Sequence, residues 1–377
     1  MYSQQELDDA VAAGVITAEA ADAFRAHIGR QRTTSIPDEE QFRLITGFND
    51  IFVSIAAAIL LFAVGWIGQS IGQGTGLFVS DHGEVGPSFL APLAIGATAW
   101  GLALFFTARR RMALPSILLL LAFVGGVLAS SAFLMVQIIG ADQFNDSNDQ
   151  LLAATVGGVS AAIAADAAWL HWRRFHVPIT VAAGAAAIAG LFLAIVVAIV
   201  QPGDSESAKN LILGFVLLLG IGMFLFAMWW DSSDRARITR RSDVAFWLHL
   251  LAAPMIAHPI FALLGLTNGS VSTGEGLLVV GLYVLFGLTA LAVDRRALLV
   301  SALAYVLYAL TELFKRFGAV ELNIALTALV IGSALLLLSA YWHQARRLVV
   351  RRLPSNLQGR LPDLDRPAPL PVSQQAA

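Results

Sequence analysis

Ten runs of this chain are each close to 20 residues long and almost free of charge: 48–68, 89–108, 114–139, 151–172, 177–200, 210–230, 244–266, 275–293, 297–314 and 321–341. A helix rises about 1.5 Å per residue and the hydrocarbon core of a bilayer is about 30 Å thick, so a run of roughly 20 apolar residues crosses it. The ninth run is the weakest, because it closes on Thr311, Glu312, Lys315 and Arg316. Hydrophobic residues make up 57% of the 377 and charged residues 13%. A water-soluble chain of that make-up would have to hide more apolar surface than one or two cores hold, since about 25% charge is usual. The expected fold class is therefore all-α: a polytopic membrane helix bundle of about ten transmembrane helices with a short N-terminal cytosolic helical hairpin. The expected domains are residues 1–44 as the hairpin, 45–342 as the membrane domain, and 343–377 as a cytosolic tail.

Orientation follows from the basic residues, which collect on the cytoplasmic side of short loops. With the N-terminus inside, 21 of the 24 Lys and Arg fall in inner segments, leaving Lys209, Lys315 and Arg316 outside. The outer loops carry acids instead, such as Asp81, Glu84, Asp142, Asp146 and Asp149. One missed helix would invert every later loop, so this segregation argues for the span count and for two cytosolic termini. Six of the eight tryptophans, Trp169, Trp172, Trp229, Trp230, Trp247 and Trp342, sit at expected inner helix ends, where an amphipathic ring prefers the headgroup level. No apolar signal-peptide core precedes residue 48, so the first span is expected to act as its own insertion signal.

The N-terminal segment reads as paired short helices. Ser3-Gln-Gln-Glu6 forms a capping box, Gly14 closes the first helix, and Thr17 caps a second that carries Ile16, Ala20, Phe24 and Ile28. A third helix is expected to run from near Pro37 into the first span. The stretch "LDDAVAAGVITAEAADAFRAHIGRQ", with its Gly14-Val-Ile-Thr17-Ala-Glu19 turn and the "FNDIF" that enters the first span, resembles the bacterial membrane proteins grouped as domain of unknown function 2157. Their pattern is a short helical hairpin around a Gly-[LIV]-Ile-[ST]-x-Glu turn, followed by many spans. The resemblance covers about the first 65 residues, and the remainder only as hydropathy. It implies a bacterial inner membrane location and assigns no activity.

After Trp342 the chain reads "HQARRLVVRRLP", a basic stretch drawn to anionic lipid, and ends Pro-rich, which favours an extended or disordered tail. The pattern R-R-x-x-[LV]-P recurs at Arg110–Pro115 and Arg173–Pro178. It fits either a duplicated helical hairpin or the plain need for arginine at inner turns and proline in a first helical turn.

Ionisable groups inside the membrane are costly and therefore functional candidates. Asp166 stands on the stripe Ala154, Gly158, Ala162, Asp166, and the next helix offers Ala182, Ala186, Gly190, Ala194 and Ala198. Small residues at such spacing let two helices approach closely. Asp166 is expected to lie level with Ala182 and to point into that interface. Two roles stay open: a proton- or cation-coupling carboxylate, paired with His249 at similar depth, or a structural ion pair with Arg173. His249 and His258 share the seventh span with Pro254 and Pro259, the prolines marking a helix that can break around a site. Nine residues apart, the two histidines point to opposite faces and cannot share a metal.

Outside the spans, "GQGTG" at 72–76 follows no strand and reads as a flexible linker, not a phosphate loop. "DQFNDSNDQ" lacks the Gly and Glu of an EF-hand, and Asp81, His82 and Glu84 have nothing to complete a metal site. There are no cysteines and no H-E-x-x-H, G-x-S-x-G or P-loop. No cofactor, no catalytic residue and no nucleic-acid surface is expected. The partners expected are the lipid bilayer and a cytosolic protein met through residues 1–44 or the tail. Two functions stand: a transporter or channel-like protein for a small solute or ion, and a non-transporting scaffold or envelope regulator. The scarcity of buried charge in the sequence favours the second.

Overall fold

The computed structural model describes residues 11–24, 48–81, 84–145, 149–201, 203, 205–235, 237, 239–265, 273–316 and 323–364. The chain divides into two compact units, Leu44–Pro362 and a smaller one made of Met1–Arg43 with Asp363–Ala377. In the smaller unit, Gly14 turns the chain with φ +69°, and Thr17 Oγ1 accepts from the Ala20 amide at 3.1 Å. The expected turn and cap are therefore in place. The Ser3–Glu6 box, Ile28 and the Pro37 helix lie outside the described residues.

In the larger unit a helix occupies each of the ten apolar runs: α1 (Phe48–Thr75), α2 (Leu90–Phe106), α3 (Ala113–Ile139), α4 (Asp149–Phe175), α5 (Ile179–Val200), α6 (Glu206–Ser232), α7 (Arg240–Leu263), α8 (Thr273–Val293), α9 (Ala297–Arg316) and α10 (Asn323–Ala340). Two more follow, α11 (Trp342–Val350) and the single turn α12 (Ser355–Gln358). Among the described residues, seven helices are long and apolar enough to cross a membrane, or eight if α10 and α11, bent by 76°, count as one span. The shortfall from ten has a physical cause: α2 has only 17 residues, about 26 Å of rise, and the apolar part of α9 stops at Glu312. The larger unit also runs to Pro362, past the boundary expected at 342.

Apolar side chains face outward along these helices. On α1, Phe52, Ile55, Ile59, Phe62 and Trp66 are all exposed, an arrangement that suits a lipid solvent and would aggregate in water. The helices meet through small residues instead. Gly68 of α1 lies against the backbone of Leu90, Gly126 of α3 against Pro92 and Gly96, and Gly220 of α6 against Met255. With lipid on every side there is little hydrophobic drive between helices, so close backbone approach supplies the packing.

Neighbours in sequence are neighbours in space, and α7 ties the two halves together by packing on both α5 and α9. One end of the unit gathers the hairpin of β1 (Ser80–Asp81) and β2 (Glu84–Val85), the turn of 3-10 helix at Ala141–Asn145, and the α5–α6 turn, whose Gly203 amide donates to Gln150 Oε1. The arginine-bearing turns gather at the opposite, basic end. The run 72–76 is no flexible linker: Gly72 is buried in α1, where Ser88 leaves no room for a Cβ, and Gln69 bonds both Gly86 O and the Ser88 amide. The two R-R-x-x-[LV]-P copies are not equivalent, because Pro115 lies inside the first turn of α3 whereas Pro178 caps α5.

A Cβ on Gly220 would stand 2.8 Å from the Met255 backbone, while one on Gly222 meets nothing. Gly220→Ala is expected to cost about 1–3 kcal/mol by forcing α6 from α7. Gly222→Ala should leave thermal unfolding in detergent unchanged or slightly raised. Equal melting shifts for the two variants would refute this packing.

Candidate functional site

The chemistry concentrates at the basic end, where α6, α7, the α8–α9 turn and α11 converge. Asp231, in the last turn of α6, is fully buried. Arg295 grips it with a fork, Nη2 to Oδ1 at 2.7 Å and Nε to Oδ2 at 3.3 Å. Its Nη2 also donates to Ser242 O, and its guanidinium lies over the Phe246 ring. His249 Nε2 lies 3.2 Å from Asp231 Oδ2, three turns into α7. An ionised carboxylate only accepts, so Nε2 is the nitrogen that carries hydrogen in this contact.

Asp294 is the second anchor. It turns the chain between α8 and α9 in the left-handed region, φ +60°, which aspartate tolerates better than most residues. Its carboxylate accepts from Arg237 Nη1 at 2.9 Å and from the indole of Trp342 at 2.7 Å, with Arg346 Nε 3.7 Å away. Arg237 also bonds the carbonyls of Val293 and Asp294, and its Nε stands 3.7 Å from Asp231. One guanidinium thus bridges the two buried acids. A third, Asp234, accepts from the amide and hydroxyl of Thr239 and shapes the α6–α7 turn.

The segment after α10 closes over this cluster. Trp342 and Arg346 are buried, the Trp342 ring carries Arg296 on its face, and Arg346 Nη2 reaches Pro362 O at 2.7 Å. Arg235 Nε holds Leu361 O at 2.9 Å. Residues 343–362, expected as the start of the tail, form with Trp342 a strap held on the helices.

The expected site residues are scattered. Asp166 is exposed on α4 and no described cation pairs with it; Arg173 lies instead over the Trp169 ring. The reason is helical drift: four-residue steps advance the stripe by about 40° each, so Gly158 is buried, Ala162 half-buried and Asp166 outside. The real interface pairs Gly158 with Ala194, Ala161 with Gly190 and Ala168 with Gly184. Ala182 is buried against α6 and α7, away from Asp166, and Ala186 is half-buried. His249 is buried and pairs with Asp231, not Asp166. His258 is exposed on the other face, bonded to Tyr305 at 2.7 Å, as the nine-residue spacing requires. Trp342 is a core residue and not part of an interfacial belt, whereas Trp169 and Trp229 are exposed.

Sequence reasoning missed Asp231, Asp294 and the buried roles of Arg237, Arg295 and Arg346. It also missed His171, fully buried beside Trp100, Phe123 and Phe175 with Nδ1 3.3 Å from Thr180 Oγ1. The available signal was a set of acids at arginine-rich turns, "WWDSSDR" and "VDRR", expected on the inner side, where a carboxylate gives topology no help. A groove of about 220 Å³ between α1 and α2, lined by Gly68, Ile71, Leu90, Leu93, Ala94 and Ala97, offers no polar side chain. Among the described residues no group of His and acids could hold a metal ion.

Fold and site together define a helical membrane protein with a buried ionic cluster at one end. Comparison with protein families, curated proteins and solved structures finds no match.

Trp342→Phe keeps the ring and removes the hydrogen bond to Asp294. The loss is expected to cost about 1–3 kcal/mol and to speed tryptic cleavage at Arg347, Arg351 and Arg352 in detergent-solubilised protein. Unchanged cleavage would mean that the strap does not depend on this contact.

Proposed function

We propose that the chain is a multi-pass protein of the bacterial inner membrane, with all ten helices crossing and both termini cytosolic. On this reading it is a transporter or channel-like protein for a small solute or ion, with the Asp231–Arg295–His249 cluster as its inner gate. One observation carries it: charges of both signs are buried where four helix ends and the strap meet. Well-packed apolar residues would hold such a junction as firmly or more so, because burying ions costs several kcal/mol each. An ionic junction suits a contact that must open, since water can replace each partner once the helices part. The buried acids and arginines also remove the sequence argument against transport, which rested on too few charges. Pro254 and Pro259, inside α7 beyond His249, each remove a backbone hydrogen bond and so weaken the helix where such a movement would bend it. Asp166, outside the bundle, is not the coupling group in this reading.

The scaffold reading keeps one observation in its favour. Val15, in the turn after Gly14, and Phe24, on the helix that Thr17 caps, are exposed, an apolar offering to a cytosolic partner.

The chain has no cysteine, so a single one can report on access. Ala253→Cys, one turn beyond His249 and fully buried, should react slowly with a membrane-impermeant thiol reagent. Adding Asp231→Asn should raise that rate about tenfold or more from the cytosolic side, if opening the junction needs one pKa-scale free-energy step of about 1.4 kcal/mol. Equal, slow labelling with and without Asp231→Asn would contradict a gate.

A further inference from the structure

We propose that α11 is an interfacial helix whose outward face seats on anionic lipid headgroups. The inference rests on the reading of α10 as a membrane-crossing helix. Where a helix crosses a bilayer, one that follows it immediately with a 76° bend must run along the membrane surface. The bend falls at Tyr341, so α11 begins at headgroup depth with no linker to carry it away.

The two faces of α11 have divided tasks. Trp342, Arg346 and Val350, at four-residue steps, are buried on the unit. Their rotational position is fixed by the Asp294 and Pro362 contacts. Fixing that face leaves Leu348 on the opposite one, 57% accessible, with the N-cap Tyr341 and, at the C-terminal end, Arg351 and Arg352 also exposed. Exposed apolar groups flanked by arginines are what an interfacial helix presents to acyl chains and phosphates. Charge complementarity selects the lipid: 341–362 holds no acid, and with Arg346 turned inward to Asp294 it still exposes Arg351, Arg352 and Arg360. A neutral headgroup layer gives those arginines no counter-ion, whereas anionic lipid does. The helix is already folded and clamped, so lipid binding pays no ordering cost and needs no gain in helicity.

The test uses the full chain with Leu348→Cys carrying an environment-sensitive fluorophore, reconstituted in phosphatidylcholine vesicles with and without phosphatidylglycerol. Ile188→Cys, exposed on α5, serves as the reference for lipid contact. Nitroxide-lipid quenching at 348 should rise about twofold with phosphatidylglycerol while iodide quenching falls, as expected for basic groups near an anionic surface. Arg351→Gln with Arg352→Gln should abolish that dependence without lowering the melting temperature. An iodide-open 348 beside a shielded 188 would overturn this inference alone. A probe at 348 shielded from both quenchers, as under a second copy of the chain, would overturn it too. Iodide access at 188 would remove the membrane reading beneath it.

Discussion

The buried pairing of Asp231 with Arg295 is the contact on which the basic end of the molecule depends. Each charge left its hydration shell to be there, and the fork between them is the shortest contact either makes. Arg295 follows the Asp294 turn, so holding Asp231 also places Asp294, and Asp294 in turn receives Arg237 and Trp342. The contacts run in series from α6 to the strap. Lose the first and a carboxylate and a guanidinium remain buried without their partners, which is where the large penalties lie.

The rest of the larger unit is held differently. From α1 to α5 the helices meet through larger apolar side chains such as Leu61, Leu119 and Leu120 and through glycines, at backbone distances that admit no Cβ at Gly68 or Gly126. Such contacts are short-ranged and carry few polar groups, the His171–Thr180 pair among them, and suit a static bundle. The second half combines similar packing at Gly220 with an ionic junction at its end. The described ion pairs that join different helices are thus concentrated at the basic end of α6–α9.

Much of the architecture was legible because the bilayer imposes it. Run length, charge segregation and the Thr17 cap are local properties, and helices stand at all ten apolar runs. The site was not legible, for two physical reasons. Arginine at an inner turn serves topology whether it ends in water or in a core, so Arg237, Arg295 and Arg346 carried the expected sign and concealed a second role. Asp166 looked interfacial because a four-residue stripe was extended over three steps, while α-helical drift carried it off the contact face. Only tertiary contact distinguishes Arg346, buried against Pro362, from Arg351, exposed one turn later.

A double-mutant cycle on Asp231 and Arg295 tests the central claim most directly. Asp231→Leu, Arg295→Met and the double variant would be compared by reversible unfolding in mixed micelles. A coupling of about 3 kcal/mol is expected, each single change costing about 3–5 kcal/mol and the double far less than their sum. Additive losses, within about 0.5 kcal/mol, would show that the two side chains do not hold each other and would contradict this account of the basic end.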